Sequence, residues 1–256
     1  MTKEIHILSL GAGVQSTALY LMDLDGDLDV KFDYCIFADV GDEPIAVMDH
    51  LGWLQDQGGC EILIRSNGCL GDDILNGKNS SGHKFISIPA FTSTEKGVGQ
   101  LRRQCTSEYK ISVVEKTIRR EILGLKPRQR VPKDVKVWQY VGFSMDEAGR
   151  AARARGRFNQ RGWQDVRFPL IEDKMTRQDC INYLENRVPH EVPRSACVYC
   201  PYKSNREWLR LKKAGGPDWE RAVEIDEALR SDVFYQRNAS NSIYLHRSCK
   251  PLKECN

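Results

Sequence analysis

The sequence predicts an α/β fold: a parallel sheet flanked by helices, with a small helical, cysteine-containing appendage at the C-terminal end. Three observations predict it. Short apolar runs alternate with stretches of helical periodicity over the first two thirds of the chain, the pattern of successive strand–helix–strand units. Glycine-bearing loops follow two of those runs, where a strand hands over to a helix. A length of 256 residues with 41% hydrophobic content suits one body of enzyme size.

Taken in order, residues 5–8 read as a buried strand and residues 18–22 as the first turns of a helix. Ser9-Leu10-Gly11-Ala12-Gly13-Val14-Gln15-Ser16-Thr17 therefore spans a strand-to-helix turn. Gly11 and Gly13 let backbone approach a ligand closely. Free N–H groups and the helix dipole favour an anion there, with the Ser16 and Thr17 hydroxyls as further donors. Residues 23–29 are a turn-rich link into a second strand, 32–37, which ends at Ala38-Asp39-Val40-Gly41-Asp42-Glu43-Pro44. Ligands of open parallel sheets bind outside the carboxyl ends of the strands, so the two loops are expected to face a nucleotide crevice, with Asp39 toward a ribose. Asp39 and Glu43 serve equally well as acids at a helix start.

A helix over 45–57 leads to a third strand at 60–64. Residues 66–99, rich in Gly, Ser, Asn and Thr with one apolar piece at 85–91, read as a lid. Ile111, Val114, Ile118 and Ile122 have helical spacing and Gly124 ends the run. Cys105 then falls at the N-terminal end of that helix, where the dipole, Arg102 and Arg103 favour a thiolate. Residues 135–142 form a strand. Gly142-Phe-Ser-Met-Asp-Glu-Ala-Gly-Arg150 leaves it for a stretch bearing Arg150, Arg153, Arg155, Arg157 and Arg161. A fifth strand spans 163–168, and Thr176-Arg-Gln-Asp179 caps a helix to about 187. After Cys197-Val-Tyr-Cys200-Pro201-Tyr202 come helices at 207–213 and 219–229 and a polar tail. By this reading residues 1–170 form a nucleotide-binding domain with a lid insertion, and 171–256 a helical region carrying the CxxC.

No run approaches the ~18 apolar residues of a membrane span, and the first strand starts almost at Met1, so a cytoplasmic protein without a membrane partner is expected. In a reducing compartment nine cysteines point to metal binding or redox chemistry rather than a disulfide framework. Cys35 and Cys60 read as small core residues. The net charge of +3 hides an asymmetry: residues 101–167 hold 17 Lys/Arg against 7 Asp/Glu. Such a region fits DNA, RNA, a second nucleotide or a solvated face. Arginine suits phosphate because its planar fork makes paired charge-assisted hydrogen bonds, and Phe143, Phe158 and Trp163 offer rings for a base.

The loop excludes one family and leaves two, beside a plain glycine turn that binds nothing. A Walker A loop needs a Lys, and this loop has none. The dinucleotide fingerprint fits Gly11-x-Gly13, but Ser16 replaces its third Gly. The pyrophosphate loop of enzymes that split ATP between its α and β phosphates fits Ser9-x-Gly11-x-Gly13-x-x-Ser16, although its strict form has Asp where this chain has Gln15. Cys197-x-x-Cys200 reads as a zinc half-site, a redox pair or a turn with neither role, and Pro201 leans toward iron–sulfur ligation.

These motifs, with Arg103-Gln-Cys105-Thr, Lys110, Gly142 to Arg150, Phe168-Pro-Leu170 and Pro193-x-Ser195-x-Cys197, follow the order seen in the phosphoadenosine phosphosulfate (PAPS) reductase-like family. That family belongs to the adenine-nucleotide α-hydrolase, or pyrophosphate-loop, superfamily, and the resemblance covers roughly residues 5–211. It implies a Rossmann-like sheet and an ATP site, with Mg2+, built on Ser9, Gly11, Gly13, Gln15, Ser16, Thr17, Asp39 and Gly142. It also implies a [4Fe–4S] cluster on Cys105, Cys197 and Cys200, zinc being the alternative. Relatives that reduce adenylyl sulfate have a Cys-Cys pair where this chain has Gln104-Cys105, so three ligands are implied. An open iron suits sulfur transfer to a nucleic acid or nucleotide, with Arg150 holding the second substrate. The resemblance admits two other functions: reduction of PAPS or adenylyl sulfate with Cys255 of the Glu254-Cys255 tail as nucleophile, and an ATP-binding, nucleic-acid-binding subunit of a modification or defence complex. A homodimer is also expected.

Overall fold

The computed structural model describes residues 2–83, 87–95, 97–158, 162–231 and 241–255. The expected positions Phe85, Ile86 and Arg161 lie outside the described residues. Backbone contacts divide the chain into two compact units: Met1–Ala38, Ala46–Arg65 and Val114–Ser195 form the first, and Asp39–Ile45, Ser66–Val113 and Ala196–Asn256 the second. The units interleave along the chain, so neither coincides with a single stretch such as 1–170.

The fold is α/β, with a five-stranded parallel sheet flanked by helices and a small antiparallel sheet. Strand β1 (Lys3–Leu10) pairs in parallel with β2 (Tyr34–Asp39) on one side and β6 (Val135–Val141) on the other, and β3 (Glu61–Ser66) and β7 (Gln164–Arg167) extend the edges. The order is β3-β2-β1-β6-β7. Ile7 and Leu8 of β1 are fully buried, the two-sided burial expected of a central parallel strand. The intervening β4 and β5 belong to the smaller sheet.

Helix α1 (Val14–Asp25) begins at Gly13 and closes on Gly26, whose φ of 80° puts it in the left-handed region that ends helices. Leu19 and Leu21 of α1 join Leu184 in the main core of the first unit, the last from α7 (Arg177–Leu184). That helix carries the expected cap: the Thr176 hydroxyl accepts from Asp179 N, and the Asp179 carboxylate accepts from Thr176 N at 2.8 Å. Helix α2 (Ile45–Asp56) lies between β2 and β3 in the chain.

Two expectations are corrected, and one stretch gains an element that its sequence pattern did not assign. Residues 66–99 are not one long loop: the segment contains the short helix α3 (Leu70–Leu75), and strand β4 (Phe91–Thr94) pairs antiparallel with β5 (Gly97–Gln100). The tail is not merely polar, because β8 (Ile243–Tyr244) pairs with β4, and Ile243, Leu245 and Leu252 are buried in the core of the second unit. The arginine-rich stretch is helical: a 3-10 turn at Met145–Glu147 runs into α5 (Ala148–Phe158).

The helix after Cys105 starts earlier than its apolar spacing implies. As α4 it comprises a π-helical start (Thr106–Ile111), an α-helical middle (Ser112–Thr117) and a π-helical end (Ile118–Ile122). Helix α6 (Pro169–Glu172) follows β7, and α8 (Asn205–Ala214) and α9 (Gly216–Ala228) follow the CxxC. Among the described residues no helix is long and apolar enough to cross a membrane.

Candidate functional site

In the first unit the strand order reverses at β1. The chain leaves β1 toward β2 and β3, then returns to β6 and β7 on the other side, so the carboxyl ends of β1 and β6 flank the switch point where open parallel sheets take their ligands. Two glycine-bearing segments stand there. The Gly11 and Gly13 N–H groups both donate to the Ser16 hydroxyl at 3.2 Å, and that hydroxyl donates to Gly13 O at 3.1 Å. Two amides thus converge on one oxygen, a nest filled by the loop's own serine at the third position of α1. Ala12 between them holds φ of 53°, a left-handed conformation costing a non-glycine residue roughly 1–2 kcal/mol. The left-handed conformation at Ala12 had no signal in the sequence.

The glycines are required by close packing. A Cβ on Gly142, just past β6, would lie 2.9 Å from Ser16 N and 3.0 Å from Gln15 C, so no side chain fits between the end of β6 and the start of α1. A Cβ on Gly11 would meet Ser195 Oγ at 3.2 Å, and one on Gly13 would meet Ser195 Cβ at 3.2 Å. The close approach expected of a ligand is thus made in part by the chain's own Ser195.

The other expected loop residues divide. Ser9 reaches Gln139 with its hydroxyl at 3.4 Å. Gln15 donates to Glu147 Oε2 at 3.1 Å and accepts from Arg177 at 2.7 Å, so the residue standing where the strict loop has Asp ties α1 to the turn before α5. Thr17 is turned away: it is fully buried, with its hydroxyl 2.8 Å from His50 Nε2, and adds no donor to the nest. Burial, and His190 beside it, push His50 down to about 4. Arg150 pairs with Glu147, and its guanidinium lies 4.7 Å from the Phe143 ring centre. Of α5 only Ala151 is buried, leaving Arg150, Arg153, Arg155 and Arg157 exposed.

Asp39 belongs to the second unit, where its carboxylate accepts from Gly41 N at 2.7 Å and so shapes its own turn. The stronger node is Asp42. It accepts from Tyr199 OH at 2.9 Å, Gly71 N at 3.0 Å, Cys69 Sγ at 3.1 Å and Arg221 Nε at 2.7 Å. A Cβ on Gly41, whose φ is 87°, would sit 2.8 Å from Cys69 Cα.

The second unit also brings Cys105, Cys197 and Cys200 into one neighbourhood. Cys200 N donates to Cys197 O at 3.0 Å, closing the CxxC turn. A hydrogen bond with Cys200, then burial, raise the Cys197 thiol well above its ordinary value, and the Cys105 and Glu43 charges add to this. Burial also raises Cys105, outweighing Arg103 and Lys110, against the thiolate expected at the start of α4.

Glu43, whose side chain is wholly buried, pairs through Oε1 with Lys110 Nζ at 3.1 Å, while its Oε2 has no hydrogen-bond partner. The Thr106 hydroxyl, next to Cys105, is likewise buried and unsatisfied. Three soft donors with two unsatisfied oxygens on neighbouring residues have the chemistry to take up a metal group. Among the described residues, however, no three His, Cys, Asp or Glu side chains stand in the arrangement that grips a single metal ion.

Cys255 is not activated as its lysine neighbours suggest. Its thiol donates to Pro251 O at 3.3 Å, burial raises it, and Lys212 Nζ pins the Lys253 and Cys255 carbonyls at 2.9 and 2.8 Å. His246 is a satisfied buried histidine, its Nδ1 2.7 Å from Ser248 Oγ. Cys35 is fully buried, whereas Cys60 is half-buried and precedes β3 rather than lying in it.

Fold and loop together define an α/β protein with a five-stranded parallel sheet and a glycine loop at its switch point. The chain matches no protein-family model, and no curated protein is significantly similar to it in sequence.

Proposed function

We propose that this chain is an ATP-binding enzyme of the pyrophosphate-loop, PAPS-reductase-like kind, acting in sulfur transfer to a nucleic acid or nucleotide. The observation that carries the reading is the nest at the switch point: two convergent amides at the start of α1, in a loop whose glycines at 11, 13 and 142 let chain segments approach it closely. Ser9, Gly11, Gly13, Gln15 and Ser16 would hold the phosphates with their Mg2+. The exposed arginines of α5, Arg150 first, would hold an anionic second substrate.

Cys105, Cys197 and Cys200 would hold a [4Fe–4S] cluster. When bound, such a cluster supplies an iron position open to sulfur. The donor chemistry suits it, and Lys110 offsets part of the thiolate charge. A second reading, an ATP-responsive subunit that binds nucleic acid, draws on the same exposed arginines. It predicts salt-sensitive binding to DNA or RNA without turnover.

The test is anaerobic purification with iron, sulfide and zinc analysis of wild type beside Cys105→Ala, and thermal unfolding with and without ATP. The reading expects about four iron and labile sulfide, lost in the variant. It also expects roughly 2.7 kcal/mol of stabilisation at ~100 times the ATP Kd. Tight NAD binding with no response to ATP would overturn the loop assignment, and stoichiometric zinc in both proteins would overturn the cluster.

A further inference from the structure

Ser195 is the residue at the loop that its glycine pattern does not reveal. It closes the last segment of the first unit and reaches the nest from a chain position far from β1. Its Oγ lies 3.2 Å from the point a Gly11 Cβ would occupy, and Ser16 Oγ lies 3.7 Å from the same point, so the two hydroxyls flank one position. Its backbone N is 3.5 Å, and the Pro193 carbonyl oxygen 3.8 Å, from the corresponding Gly13 position. This segment therefore covers the glycines directly.

The two hydroxyls differ in what they do. Ser16 Oγ accepts from both loop amides and donates to Gly13 O. Ser195 is half-buried, and among the described residues its hydroxyl has no hydrogen-bond partner. A partly desolvated hydroxyl without a partner gains most from an ionised acceptor, since hydrogen bonds to charged groups are about twice as strong as neutral ones. An anionic oxygen that takes the loop amides from Ser16 arrives beside that hydroxyl.

We infer that Ser195 is a phosphate-binding residue, its hydroxyl donating to the pyrophosphate portion of the nucleotide beside the Gly11 and Gly13 amides. The inference rests on the pyrophosphate-loop reading and deepens it. The loop alone would grip the phosphates through backbone, whereas Ser195 adds a side chain from the segment leading into the CxxC. Because it faces the nest, its contribution belongs to the phosphates and not to the base or sugar.

The test is isothermal titration of the full chain with MgATP, inorganic pyrophosphate and adenosine, for wild type, Ser195→Ala and Ser195→Thr. Ser195→Ala is expected to weaken MgATP and pyrophosphate alike by roughly ten- to a hundredfold and to leave adenosine unchanged. Ser195→Thr, which keeps the hydroxyl, is expected to stay within a few-fold of wild type. Unchanged affinities in Ser195→Ala overturn the inference. Equal losses in the Ala and Thr variants overturn it too, because packing on the glycines would then be what matters. Wild type that binds neither MgATP nor pyrophosphate sinks the pyrophosphate-loop reading itself, a result distinguishable from failure of the Ser195 role alone.

Discussion

His50 gives the first unit a built-in acid sensitivity whose size follows from its surroundings. The ring is fully buried in α2, stacks on Trp53 with centroids 5.6 Å apart, and makes contacts of 2.8 Å to Thr17 Oγ1 and to His190 Nε2. Burial first, and His190 second, lower its pKa from 6.5 to about 4. Between those values the unfolded chain binds a proton that the native state refuses, so stability falls as pH falls. The contribution is intact above pH 6.5 and is lost as pH drops through 4. At about 1.36 kcal/mol per pH unit, that gap amounts to roughly 3 kcal/mol. Urea unfolding of wild type and His50→Gln between pH 7.5 and 4 measures it. The variant starts lower, by about 1–3 kcal/mol, because it disturbs the Thr17 and His190 contacts. Wild type should lose roughly 3 kcal/mol more than the variant on acidification. Parallel pH profiles for the two proteins would refute the assignment of the titration to His50.

Other substitutions probe the two units separately. Gly142→Ala places a Cβ 2.9 Å from Ser16 N, against backbone that cannot swing aside, and should cost about 1–3 kcal/mol in chemical denaturation while shrinking the thermal shift given by ATP. Asp42→Ala takes the acceptor from Tyr199 OH and Gly71 N and leaves Arg221 to Asp72 and Glu224, and should destabilise the second unit by about 1–3 kcal/mol, with Asp42→Asn falling between it and wild type. Thr176→Ala removes one half of the α7 capping box, and a loss of about 1 kcal/mol is expected from the same measurement.

The parallel sheet was legible because its strands are short apolar runs separated by helical periods, and the Gly11–Gly13 loop because its glycines stand between an apolar run and a helical period. The antiparallel sheet was hidden for the opposite reason. Thr92, Ser93 and Thr94 pair with Gly99, Val98 and Gly97 on half-exposed strands, and the third strand, Ile243–Tyr244, is two residues long and lies about 150 residues further along the chain.

Asp39 was the acid the loop pattern pointed to, yet Asp42 gathers the partners, because Arg221 and Tyr199 come from more than 150 residues away and no local spacing announces them. Thr17 sits in the right register for a donor, but the rotation of α1 turns it toward His50. Ser195 had only its place in Pro193-x-Ser195-x-Cys197 to mark it.

The central claim is that the nest at the ends of β1 and β6 is where a nucleotide's phosphates bind. Amide hydrogen exchange with saturating MgATP, pyrophosphate or NAD tests it most directly. The account predicts that MgATP and pyrophosphate slow exchange in peptides covering residues 9–17 and 142–147, with NAD giving no comparable protection. Protection by NAD alone, or protection by MgATP confined to peptides that include neither segment, would contradict it.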